Sequence, residues 1–175
     1  MKVLIALDDS ECSNLAFDSL AERIWPELTE FRIITVVEPA YIQAPPFGGV
    51  YSAPMIEAQI EFEKYCRERV KEKVETMKSR FPKNAVSGET LLGPVAELII
   101  DEAKAWNADL IIVGSHGRKG FGRFFLGSVA ERVAGHAPCS VEIVKHKLVS
   151  QEEIDKSGKE TSSTKSLHLG GKVLI

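Results

Sequence analysis

Two rhythms of apolar residues alternate along this chain: short unbroken runs, and rows whose members recur every three or four positions. Residues 2 to 7 form a run that stops at Asp8-Asp9-Ser10, as a strand buried on both faces does when it meets a polar turn. Ser10 or Ser13 can cap the helix that follows, in which Phe17, Leu20, Ala21 and Ile24 share one face until Pro26 stops it. Phe31 to Val37 reads as a second buried strand, closed by Glu38-Pro39. From Ala40 to Pro54 the chain is rich in proline, glycine and aromatics without a period, which predicts a long loop of a kind that is often functional. Ile56, Ile60, Cys66, Val70, Val74, Met77 and Phe81 then line one side of a long, charged helix ending before Pro82. A third strand is expected over about residues 85 to 92, interrupted by Gly88. Gly93-Pro94 opens a helix with proline at the first position and Val95, Leu98, Ile99, Ala103 and Trp106 on its buried face. Asp109 to Val113 is the clearest strand, Ser128 to His136 a short helix, and Val141 to Lys145 the last strand.

Strands and helices that alternate in this way predict an α/β fold: a parallel sheet with helices on both faces and right-handed crossovers. Ligands of such sheets bind beyond the carboxyl ends of the strands, where the strand order reverses. Asp8, Val36 to Glu38 and the loop after Val113 fall on that edge.

At 175 residues and 44% hydrophobic content, the chain can bury one sizeable core. A net charge of -3 gives no overall basic field to draw the molecule to nucleic acid or an anionic membrane, so a polyanion site must be local. The apolar start is too short for a signal-peptide core, and no apolar run approaches the roughly 20 residues of a bilayer span. Cys12, Cys66 and Cys139 are scattered and lack metal-ligand spacing. A reduced, cytoplasmic setting without a metal centre is the expectation.

The local reversal of charge lies between Gly114 and Ser128. Glycines at 114 and 117 let backbone amides approach an anion, and Gly127-Ser128 stands where a helix begins, so unpaired amides, the helix dipole and a hydroxyl converge. Arg118, Lys119 and Arg123 add three cations. This combination suits phosphate. His116 has no evident catalytic partner at sequence spacing and reads as a phosphate contact. Cys139 reads as packed, and His136 as a cap for the negative end of its helix.

The spacing Gly114-x2-Gly117-x9-Gly127-Ser128, directly between a strand and a helix, resembles the ATP-binding pattern of the universal stress protein family. So do Asp8-x-Ser10, Val36-Val37-Glu38-Pro39, Gly93-Pro94 before a helix, and Ala137 to Val144. The resemblance covers residues 1 to 146 and leaves 147 to 175 as a C-terminal extension. It implies a five-stranded open sheet of order 3-2-1-4-5, with adenosine across the ends of the first, second and fourth strands. It places Leu7 and Asp8 near the ribose or adenine, Val36 against the adenine, and Val113 and Gly114 beside the nucleoside. His116, Gly117, Arg118, Gly127, Ser128 and Val129 then hold the phosphates. ATP is the expected ligand, with AMP or a cyclic adenine nucleotide as alternatives, and Mg²⁺ could accompany the phosphates.

Two functions follow from this pattern. One is a stress-response regulator in which nucleotide occupancy sets conformation or partner choice. The other is an enzyme that slowly hydrolyses ATP. The loop lacks a Gly-Lys-Ser/Thr ending and offers no general base beside a water, which favours binding over turnover. A phosphoacceptor receiver domain also carries an acidic pair after strand one, but strand three here ends in Leu91-Leu92-Gly93, without a carboxylate to phosphorylate. The last strand would lie on an edge of the sheet, and Val141, Ile143 and Val144 are apolar enough to predict a homodimer through it. Leu167 to Ile175 is apolar and β-prone, which predicts that the extension docks on the domain or its twin as an added edge strand.

Overall fold

Val3, Leu4 and Ile5 have no solvent exposure, because the strand they form occupies the middle of a sheet. In the computed structural model, residues 1–39, 53–117 and 126–145 are described. They form β1 (Lys2–Ala6), α1 (Glu11–Glu22), β2 (Glu30–Val37), α2 (Ala53–Arg80), β3 (Val86–Leu92), α3 (Val95–Trp106), β4 (Leu110–Gly114), α4 (Ser128–His136) and β5 (Ser140–Val144). Every pairing is parallel and the order is β3-β2-β1-β4-β5, as the resemblance implies.

Successive side chains of a strand point to opposite faces, so each continuous apolar run feeds two cores. Val3, Ile5, Leu7, Phe31 and Ile112 pack against Phe17 and Leu20 of α1 and Val70, Val74 and Met77 of α2. Leu4, Ile34, Val36, Ile111 and Val113 pack against Ile99 and Ala103 of α3 and Ala130 and Val133 of α4. Gly88 belongs to the first of these layers. A Cβ there would stand 2.5 Å from Val74 and 2.7 Å from Val70, so α2 lies directly on the backbone of β3.

The expected apolar rows need correction at several ends. Ile24 is 99% exposed, because Arg23 is extended and the Trp25 indole donates to the Leu20 carbonyl, closing α1 before Ile24 can face the core. Ser10, rather than Ser13, is the N-cap. α2 begins at Ala53, so Pro54 lies in its first turn, where a missing amide hydrogen is tolerated. Residues 40–52 of the expected loop lie outside the described residues. Ile56 and Ile60 are exposed: at 28 residues α2 runs about 42 Å, while eight-residue β2 spans about 27 Å, so the first turns of the helix overhang the sheet. Pro94 is the N-cap of α3 rather than its first residue, and the helix buries Ala96 and Ile100 beside Ile99 and Ala103 while Val95, Leu98 and Trp106 flank them half-buried. The last strand begins at Ser140 and ends at Val144. Among the described residues, no helix is long and apolar enough to cross a membrane.

Candidate functional site

β1 is the strand at which the order reverses, since its neighbours β2 and β4 lead to opposite edges. The crevice of such a sheet opens at the carboxyl end of that strand. The Leu7 amide donates to the Ile34 carbonyl at 2.9 Å, which carries the pairing one residue past β1 before the chain turns. Asp8 Oδ1 then accepts from the Ser10 amide at 3.1 Å, the Asp8 amide donates to Ser13 Oγ at 3.1 Å, and the Ser13 amide donates to Ser10 Oγ at 3.2 Å. This interlocked turn is an aspartate turn and a helix cap in one. It holds the Asp8 carboxylate at the sheet edge.

The end of β4 is tied to the same turn. Ser10 Oγ donates to the His116 carbonyl at 3.1 Å. The Ser115 amide donates to Val144 O at 2.8 Å, and the Gly127 amide donates to Ser115 O at 2.8 Å, which seats the start of α4 over β4. The Gly127 amide is thereby committed, and the amides left without an intrahelical partner at the helix start are those of Ser128, Val129 and Ala130. A Cβ on Gly117 would come within 2.7 Å of Asp8 Oδ2, and one on Gly114 within 2.8 Å of the Ser13 nitrogen and 2.9 Å of the Cys12 carbonyl carbon. These glycines let α1, β4 and the following loop meet at one point. His116 Nδ1 lies 3.0 Å from Ser115 Oγ, while its buried Nε2 has no partner among the described residues. A ligand oxygen would satisfy that nitrogen.

On the other side of Asp8, between the sheet edge, α1 and α2, runs a narrow cleft that opens to solvent. Leu7, Asp8 and Thr35 form its sheet wall, and Phe62, Tyr65 and Arg69 line it from α2. Asp9, held at φ 61°, accepts from the Tyr65 hydroxyl at 2.9 Å and lies 3.5 Å from Arg69 Nε. The hydrogen bond to Asp9 pushes the Tyr65 phenol above its ordinary value. Lys73, 4.1 Å over the Phe17 ring and 3.3 Å from Asn14 Oδ1, is held below the ordinary lysine range, first by burial and then by the Arg69 charge.

The structure thus brings Asp8, Gly114, His116, Gly117, Gly127, Ser128 and Val129 to one edge. Leu7 lines the cleft. Val36 and Val113 are buried in the α3/α4 layer, so they reach that edge through their backbone, and it is Thr35 whose position lines the cleft from β2. Arg118 lies outside the described residues, as do Lys119 and Arg123. Ser115, Thr35, Tyr65, Arg69 and Lys73 went unread in the sequence. Tyr65, Arg69 and Lys73 recur every fourth residue beside the buried row of α2, a polar stripe that periodicity alone could have exposed. His136 Nδ1 lies 3.0 Å from the Arg132 carbonyl in the last turn of α4. Cys139 is partly buried, and burial pushes its thiol up.

The sequence profile of the universal stress protein family matches residues 1–145. Universal stress protein Sll1388 of Synechocystis is 31% identical over 157 residues, spanning 83% of this chain and 97% of its own. The solved structure of hypothetical protein MJ0577 superposes with a TM-score of 0.64 at 25% identity, covering 85% of this chain and 97% of that one. A universal stress protein solved in complex with cAMP has the same fold, at TM-score 0.55 and 22% identity, over 84% of this chain and 98% of that one.

Proposed function

The chain belongs to the universal stress protein family, and on that premise we propose that it is an ATP-binding regulatory protein whose nucleotide occupancy controls conformation or partner choice. One observation carries this reading. The turn after β1, the loop after β4 and the start of α4 are hydrogen-bonded into a single unit through Ser10, His116, Ser115 and Gly127. A ligand spanning that unit would be felt by α1 and α4 together. The adenosine would lie at the sheet edge beside Leu7, Asp8 and Thr35, where a carboxylate can accept from ribose hydroxyls. The phosphates fit the amides of Ser128 and Val129, the Ser128 hydroxyl and the unpartnered Nε2 of His116.

Binding is favoured over turnover because the loop lacks the Gly-Lys-Ser/Thr ending of a P-loop and both carboxylates of the turn already hold protein partners. Asp9 is already shared by Tyr65 and Arg69, and Asp8 is fastened to the Ser10 amide. Mg²⁺, if it accompanies the phosphates, would find Asp8 at the sheet edge. Calorimetry with ATP tests the reading, with affinity expected at about micromolar or tighter. Gly117→Val, which crowds Asp8, and Gly127→Val, which crowds Ser115 O at 3.1 Å, should each abolish it. Unchanged affinity in both folded variants refutes the site, and single-turnover hydrolysis by the wild type would favour the slow-ATPase alternative.

The reading includes a cytoplasmic homodimer. Among the described residues β5 pairs with β4 on one side only and leaves Val141, Ile143 and Val144 half-buried at the edge, so a twin strand across a two-fold axis would complete both. A monomeric mass by light scattering would overturn it.

A further inference from the structure

We propose that Cys12 is a peroxide-reactive thiol, deprotonated as it attacks by His116 acting through Ser115. This goes beyond the nucleotide reading and does not rest on it, since no nucleotide takes part.

Cys12 sits half-buried in the first turn of α1, one residue from the Ser10–Ser13 cap. Its Sγ accepts from Ser115 Oγ at 3.6 Å, and that oxygen is 3.0 Å from His116 Nδ1. One hydroxyl therefore stands between a thiol and an imidazole, and once turned toward the imidazole it can take a proton from the first while giving its own to the second. Both transfers together leave a thiolate, an intact serine and an imidazolium. Ser115 is 1% exposed, so bulk water does not short-circuit the relay. Its carbonyl accepts from Gly127 and the next carbonyl accepts from Ser10, which fixes the relay from both sides. The other ionisable groups of the turn are Asp8, Asp9 and Glu11, of which Asp9 is held by Tyr65 and Arg69.

The imidazole is engaged through Nδ1, and among the described residues its Nε2 has no partner. With a hydroperoxide, Sγ attacks one oxygen, the S–O bond forms and the O–O bond breaks. Sulfur loses two electrons and the peroxide gains them. The proton stored on the imidazole returns through Ser115 to the departing oxygen, so a thiol and hydrogen peroxide give a sulfenic acid and water. Cys66 and Cys139 serve as internal references, the first buried on α2 and the second with its thiol pushed up by burial.

The test treats the reduced full chain with hydrogen peroxide and a sulfenic-acid-trapping dione, and quantifies the adduct at each cysteine by peptide mass spectrometry. At about pH 7 Cys12 should react about a hundredfold faster than Cys139, the low end of what a positioned base supplies. Ser115→Ala should remove about that factor and Ser115→Thr should restore it. The deficit of Ser115→Ala should vanish near about pH 10, where solvent removes the thiol proton unaided. A Cys12 rate no greater than that of Cys139, or a deficit equal at all pH values, overturns the proposal. Should Ser115→Ala fail to fold, the wild-type comparison and the pH profile of His116→Gln decide on the same terms.

Discussion

Alanine at Gly114 and alanine at Gly117 add the same methyl group within one turn of the chain, yet they should damage different properties. At Gly114 the new carbon would stand 2.8 Å from the Ser13 nitrogen, 2.9 Å from the Cys12 carbonyl carbon and 3.0 Å from Cys12 Cβ. Two of these are backbone atoms of α1, which cannot turn aside, so the whole first turn must lift off β4. Overpacking of this kind costs up to about 3 kcal/mol. Stiffening the unfolded chain by Gly→Ala returns about 0.4–1 kcal/mol, leaving a net loss of about 2 kcal/mol. For a domain of this size that is a fall in Tm of about 6 °C. At Gly117 the obstacle is Asp8 Oδ2 at 2.7 Å, the end of a side chain that can swing away, so Tm should move by less than about 2 °C. The displaced carboxylate is the one proposed to meet the ribose, and losing a charge-assisted hydrogen bond should weaken ATP about tenfold. Differential scanning calorimetry and titration calorimetry on both variants separate the effects. A stable Gly114→Ala protein would refute the close approach of α1 to β4, and a Gly117→Ala protein with unaltered ATP affinity would refute the role of Asp8.

Three further outcomes are expected. Ser10→Ala removes both the cap of α1 and the bond to the His116 carbonyl, so Tm should drop by about 3 °C, from about 1 kcal/mol, with ATP affinity falling alongside; a drop in Tm with affinity intact would separate the cap from the site. Because native Lys73 gives up its proton below the ordinary value of 10.5, the unfolded chain holds more protons between the native and unfolded values. The stability contributed by this group should therefore rise as pH climbs through that window, so the wild type gains on Lys73→Met as pH rises toward 10.5, as read from denaturant melts; a constant gap would contradict the burial of the amine. Removing residues 148–175 should lower Tm or weaken dimerisation in light scattering while ATP affinity stays the same, and loss of ATP instead would place the extension at the ligand site.

Much of this protein is determined by sequence alone, for physical reasons that act locally. Strands buried on both faces must be continuous apolar runs, so β1, β2 and β4 announce themselves, and Gly88 fell where α2 leaves no room for a side chain. Glycines at 114, 117 and 127 are needed wherever backbones meet, and their spacing was visible before the atoms they accommodate were known. Tertiary structure alone decided what those glycines approach: α1 for one, the Asp8 carboxylate for another, Ser115 for the third. It also decided which apolar residues are core, since the overhang of α2 and the extended Arg23 expose Ile56, Ile60 and Ile24 although each keeps the period of its helix. Cys12 and Ser115 are 103 positions apart, and no local pattern couples them. They meet because β1 and β4 are neighbours in the sheet, which puts the first turn of α1 against the residue that follows β4.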